Sequence, residues 1–169
     1  ILERQITDEE LVEIMKKAKL EIEVFVHGAL CCSLSGLCLL SSVLYGKSGN
    51  RGKCVQPCRE FFESATDDRG YLFSTRDLCR IEDVRFLRNI GVTALKIEGR
   101  LRKQDYVRNT VLAYRKVLDS DEKDLLEAFS EAKEILSYCS GRKSIRGFKT
   151  ESSFDEMILK NSPGTAGVE

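Results

Sequence analysis

Five cysteines, Cys31, Cys32, Cys38, Cys54 and Cys58, fall within 28 residues, with Cys79 further on and Cys139 alone near the far end. Thiolates are soft ligands suited to zinc or iron, and clustered thiols kept reduced more often bind metal or do redox chemistry than form structural disulfides. The spacing matches neither the short ferredoxin runs nor the paired C-x-x-C of a zinc ribbon, because three residues separate Cys54 from Cys58. The alternative is that some of these thiols are small buried hydrophobes. His27 is the single histidine and stands four residues before Cys31, where it can act as a general base, a ligand or a hydrogen-bonded core group. Downstream, alternation along Lys96-Ile97-Glu98-Gly99-Arg100 places Lys96, Glu98 and Arg100 on one side unless Gly99 kinks the chain. Such a cation-carboxylate-cation row suits a dicarboxylate ligand, Arg100 pairing in bidentate fashion, or else is a structural ion pair.

Several chemistries lack their residues. The chain has no G-x-S-x-G elbow, no H-E-x-x-H zinc site and no recognisable serine triad, so these residues spell out no proteolytic mechanism. Gly46-Lys47-Ser48 resembles the end of a phosphate loop, but Ser41 stands where that loop needs glycine. Lys+Arg and Asp+Glu are equal at 27 each, so contact with nucleic acid must come from a local patch. The basic loop Lys47, Arg51, Lys53 and Arg59 is one such patch, able to touch an RNA backbone or simply to be solvated; Arg100, Arg102 and Lys103 form a second. Asp77, before a helical run, reads as an N-cap rather than a catalytic acid.

The elements that must position these groups are legible in outline. With 169 residues, 42% hydrophobic and 32% charged, the chain builds one core of ordinary size. Thr7-Asp8-Glu9-Glu10 opens a helix running to about Leu20, and Glu21 to His27 alternates as a strand closed by Gly28. A loop from Gly46 to Arg59 precedes a short strand at 71–74, a helix over Asp77 to Ile90, a strand over Thr93 to Ile97, and helices over Gln104 to Leu118 and Glu122 to Leu136. Strands alternating with helices predict β/α units around a parallel sheet, with Ile1 to Arg4 as the tail of a further strand. The uncharged stretch from Val24 to Gly46 is interrupted by His27, three glycines and four serines, which argues against a bilayer span. The opening ILERQITDEE carries no apolar leader, so a cytoplasmic setting is expected.

The runs Glu23-x-Phe25-x-His27-Gly28-Ala29-Leu30-Cys31, Ser35-Gly36-x-Cys38-Leu39-Leu40-Ser41 and Arg51-Gly52-x-Cys54-x-Gln56-Pro57-Cys58 resemble the signature of the collagenase-like peptidase family, unassigned peptidase family 32. Ser74 to Cys79, Leu95 to Arg100 and the tail from Arg146-Gly147-Phe148 to Gly167 resemble it too. The resemblance implies an α/β fold, the C-terminal half of a TIM-like (β/α) barrel over residues 1–140 with a cysteine-rich loop. Residues 141–169 would be a linker toward a small β domain, with the other barrel half before Ile1. It implies two competing activities, a collagenase-like peptidase or oxygen-independent hydroxylation of tRNA, rRNA or an aromatic precursor, and so a peptide or RNA partner. In the hydroxylation members cysteines hold a 4Fe-4S cluster and prephenate can supply oxygen. The implied ligands are Cys31, Cys38, Cys54 and Cys79, with Cys58 the alternate and zinc the alternative metal. His27, Glu98 and Arg100 would be catalytic, and Lys96 with Arg100 would bind the co-substrate. A third expectation is a non-catalytic fragment or binding module, whose open strand edges would invite association.

Overall fold

The structure, a computed structural model, describes residues 1–66, 68–139, 141–147 and 156–161. Helix α1 (Asp8–Lys17) begins with the expected capping box: Glu10 N donates to Thr7 Oγ1 at 3.2 Å, and Thr7 N donates to the Glu10 carboxylate at 2.9 Å. Strand β1 (Glu23–Ala29) follows, then the short helix α2 (Leu40–Tyr45) inside the cysteine-rich loop, and a two-stranded ribbon of β2 (Phe62–Glu63) and β3 (Arg69–Gly70). Strand β4 (Asp77–Cys79), helix α3 (Val84–Asn89), strand β5 (Ala94–Ile97), helices α4 (Gln104–Asp119) and α5 (Leu125–Ser137) and strand β6 (Ser144–Ile145) complete the order.

The sheet runs β5-β1-β4-β6. Strand β1 is parallel to β5, as the β/α reading predicts, but antiparallel to β4, which in turn is parallel to β6. The fold is therefore mixed α/β with an open sheet, and among the described residues no barrel closes. Two local expectations are corrected. Residues 71–74 form a turn closed by Ser74 N donating to Tyr71 O, and Asp77, expected as a helix cap, lies within β4. The aromatic residues that suggested a strand instead stack edge-on in pairs, Phe61 with Tyr71 and Phe62 with Phe73.

Alternation along β1 and β4 divides the apolar residues between two faces. Val24, Val26 and Cys79 join the main core with Leu11, Ile81, Val84, Leu87, Ala113, Val117 and Ala132 from the helices. Phe25 and Leu78 face the other way, into a small cluster with Leu30, Ile145 and Met157. Within 141–169, expected as a linker, the described residues pack on the body: β6 extends the sheet, Met157 is buried, and Ile158 bridges to Thr75. The family-like positions Phe148 to Asp155 and Ser162 to Gly167 lie outside the described residues.

Gly28 explains how β1 ends. Its φ is +107°, and a Cβ there would stand 2.6 Å from the carbonyl oxygen of Glu98. Glu98 N donates to His27 O at 2.8 Å, so the end of β1 and the chain leaving β5 touch backbone to backbone. Gly28→Ala combines backbone strain with overpacking and is expected to cost roughly 2–6 kcal/mol in chemical denaturation. A cost below about 1 kcal/mol would contradict this contact.

Candidate functional site

A cavity of about 430 Å³ opens beyond the end of β1, between the cysteine-rich loop and residues 98–102. Cys31, Cys32, Cys38, Cys54 and Cys58 all line it. On either side of α2 polar side chains hold the loop in place. Gln5 Nε2 donates to Cys31 O at 3.1 Å and Ser33 O at 2.8 Å, and Asn50 Nδ2 donates to Gly36 O at 2.9 Å. Arg100 Nη1 donates to Gly52 O at 2.7 Å. Gln56 adopts a left-handed conformation, φ 59°, and its N–H donates to Cys54 Sγ at 3.3 Å, which turns the chain into the short helical turn that carries Cys58. Arg59 then ties that turn to the end of β1, its Nη2 donating to Leu30 O at 2.6 Å and its Nη1 to Thr75 O at 2.8 Å.

The rest of the wall mixes apolar side chains with five guanidiniums. Arg4, Arg59, Arg100, Arg102 and Arg142 line the cavity against one carboxylate, Glu98, which Arg4 Nη2 already contacts at 2.6 Å. Behind this wall Asp77, 5% exposed, accepts from Arg102 Nη2 at 2.7 Å and from Arg142 Nε at 2.8 Å. The charges of Arg59 and Arg142 bear on Cys58, whose thiol is drawn below the usual thiol range chiefly by a hydrogen bond from Cys32; Cys32 is pushed up in return. Burial raises Cys31.

Three expected site residues stand elsewhere. His27 is 9% exposed, does not line the cavity, and packs against the rings of Tyr106 and Tyr114 of α4. The single proton of the Tyr114 hydroxyl is donated to Val26 O at 2.7 Å, so the contact of that oxygen with His27 Nδ1 at 3.4 Å needs the imidazole proton on Nδ1. Burial lowers the His27 pKa to about 4, leaving the ring neutral at pH 7. Cys79 belongs to the main core and is raised by burial, so Cys58, the alternate, stands on the cavity in its stead. Lys96 Nζ pairs with Glu23 at 3.1 Å and lies over the Phe25 ring, off the cavity, whereas Glu98 and Arg100 remain on it. The row therefore splits after β5 ends. Sequence reasoning missed Arg4 and Arg142 as wall residues and took Arg59 and Arg102 only as members of two basic patches; Arg59 had a further local signal, its place beside Cys58.

Among the described residues no three His, Cys, Asp or Glu side chains group closely enough to hold one metal ion. Ligands sharing a tetrahedral zinc at ~2.3 Å stand about 3.8 Å from each other, whereas in an iron-sulfur cluster each thiolate takes its own iron, so the thiols stand further apart around a larger guest. Five thiols line that one cavity, a donor set whose chemistry fits thiolate-held iron.

The family model for peptidase family U32 matches residues 1–158. The chain belongs to peptidase family U32. Among its relatives, an uncharacterized protease of Methanocaldococcus jannaschii is 42% identical over 71% of this chain and 33% of its own length. A tRNA hydroxylation protein of Bacillus subtilis is 35% identical over 71% of this chain and 31% of its length. A 23S rRNA 5-hydroxycytidine synthase of Escherichia coli is 33% identical over 89% of this chain and 24% of its length. This U32 chain thus spans a third or less of those relatives. No solved structure matches it significantly. No helix among its described residues is long and apolar enough to cross a membrane.

Three outcomes are expected. His27 has its folded pKa depressed from 6.5 to about 4, so the unfolded chain takes up its proton first; the stability it contributes is complete above about pH 6.5 and is lost as pH falls toward 4, by up to roughly 3 kcal/mol. His27→Gln should flatten that part of the stability-pH curve, and an unchanged slope would contradict the burial. Asp77→Asn leaves Arg102 and Arg142 without their buried counter-charge and should cost about 3–5 kcal/mol by urea unfolding. In metal-free protein Cys32→Ala removes the donor to Cys58, so the pH midpoint for alkylation of Cys58 should move upward.

Proposed function

We propose that this U32 chain binds an iron-sulfur cluster through Cys31, Cys38, Cys54 and Cys58 and serves oxygen-independent hydroxylation of RNA. The observation that carries this reading is the convergence of five thiols and five guanidiniums on one cavity. Thiolates hold iron, and a cationic wall suits the net negative charge of a thiolate-ligated cluster and of an anionic co-substrate. When bound, the cluster supplies one-electron redox chemistry. The chain's own residues do the rest: Arg100, exposed on the cavity, binds and orients a carboxylate of a co-substrate such as prephenate, while Leu30, Leu34, Pro57 and Leu101 exclude water from the walls. Hydroxylation of RNA is favoured by the relatives named for tRNA hydroxylation and for 5-hydroxycytidine synthesis. A base reacting in this cavity must leave its stack, and the basic loop Lys47, Arg51 and Lys53, continuous with the cavity through Gly49 and Gly52, is where its backbone would run.

A peptidase is the reading that the protease relative favours, and a thiol is the nucleophile that the cavity offers. It needs a base beside the nucleophile, and His27 is buried against Tyr114 while Cys31 lines the cavity.

Anaerobically purified protein should carry iron and acid-labile sulfide. Cys58→Ala should lose most of both, and Cys79→Ala should keep them. Loss with Cys79→Ala and retention with Cys58→Ala, both variants folded, would overturn this ligand set, and wild-type protein that is folded and iron-free would overturn the cluster.

A further inference from the structure

Around α2 the apolar side chains face solvent instead of the core. Leu37, Leu39, Val43, Leu44, Tyr45 and Val55 are all exposed, and they belong to the same loop whose Leu34, Leu40 and Cys54 line the cavity. Exposed apolar side chains gathered at the edge of a cavity mark a contact with a partner. The charge beside them says which kind. From Val24 to Arg59 the chain contains no aspartate or glutamate, while Lys47, Arg51 and Lys53 are exposed. A surface of apolar groups and cations without carboxylates suits a polyanion whose bases seek cover, and single-stranded RNA is such a polyanion.

The aromatic residues give that surface a geometry. Tyr45 closes α2, about 7.5 Å along the helix axis from Leu40 on the cavity wall. Its hydroxyl donates to the carboxylate of Glu60, which occupies that carboxylate and holds the ring. Extended backbone at Glu60, continued by β2, puts Glu60 and Phe62 on one side of the chain, and Phe62 stacks edge-on with Phe73, ring centres 5.1 Å apart. Tyr45 and Phe73 therefore stand on the same side, each held by a neighbour and each nearly half exposed, at 47% and 45%. Glu63 alternates to the other side, where Arg69 faces it across the ribbon. Rings already held in place lose little freedom when a base stacks on them.

Resting on the RNA reading above, we propose that the bases flanking the reacting one stack on Tyr45 and Phe73, with the phosphates of the same strand along Lys47, Arg51 and Lys53. The cavity then takes one base, and the rings outside it hold its neighbours in the unstacked strand.

The test is binding of the full chain to a fluorescein-labelled single-stranded RNA of about ten nucleotides and to an abasic strand with the same number of phosphates. The wild type should bind the RNA more tightly than the abasic strand. Tyr45→Leu and Phe73→Leu, which keep apolar bulk and remove the ring, should each weaken RNA binding about fivefold or more. Both should bind the abasic strand as before, which also shows that they are folded. Tyr45→Phe, which keeps a ring, and Tyr138→Leu, at the end of α5, should bind RNA as the wild type does. Lys53→Gln should weaken both strands alike and flatten the dependence on salt. RNA binding unchanged in both leucine variants, or a wild type that binds the two strands equally, would overturn the stacking and leave the RNA reading standing. Folded wild type that binds neither strand would overturn the RNA reading beneath it.

Discussion

The carboxylate of Asp77 sits where β4, the residues entering α4 and the segment before β6 meet, and the cavity depends on it. It is 5% exposed and faces guanidiniums from Arg102 and Arg142, 25 and 65 residues away in the chain. Burying one charge is costly, and burying three is tolerable only where geometry matches them closely. That match fixes Arg142 and Arg102 against the cavity wall, while Arg59 reaches the same wall from the cysteine-rich loop. Positive charge in excess of Asp77 and Glu98 is left along the cavity wall.

A second constraint separates two kinds of chemistry that the sequence sets side by side. His27 and Cys31 are four residues apart, yet between them Gly28 turns the chain tightly against Glu98, and the strand ends. The imidazole is left on the helix side under Tyr106 and Tyr114, and the thiol is left on the cavity side. One residue with a positive φ thus divides a buried neutral ring from a set of polarised thiols. Those thiols differ among themselves: Cys58 is lowered by its neighbour Cys32 and two arginines, while Cys31 is raised by burial.

Helices α1, α4 and α5, strands β1 and β5 and the U32 membership were legible because each rests on local signals, among them a capping box at Thr7, alternation in β1, and the long His-Gly and Gln-Pro-Cys runs, whereas α2 was not expected and the helix expected over Asp77 to Ile90 is confined to α3. Of the thiols that share the cavity, Cys31, Cys38 and Cys54 were expected together and Cys58 as the alternate, since all belong to one loop, while Cys32 was not part of the expected set. The direction of β4 was not legible, because a three-residue strand containing an aspartate reads as a helix cap when the arginines that neutralise it are remote. Lys96 was placed on the site by alternation, but its proximity to Glu23 across the parallel pair draws it away. Of the arginine wall, Arg59, Arg100 and Arg102 were visible only as basic patches, and Arg4 and Arg142, 138 residues apart in the chain, had no signature.

The most direct test of the central claim, that the cavity thiols and not the buried imidazole ligate an iron-sulfur cluster, is iron K-edge X-ray absorption on the anaerobically purified chain. The expected result is a first shell of sulfur alone with a clear iron-iron scattering path. A first shell containing nitrogen, or iron without a neighbouring iron, would contradict it.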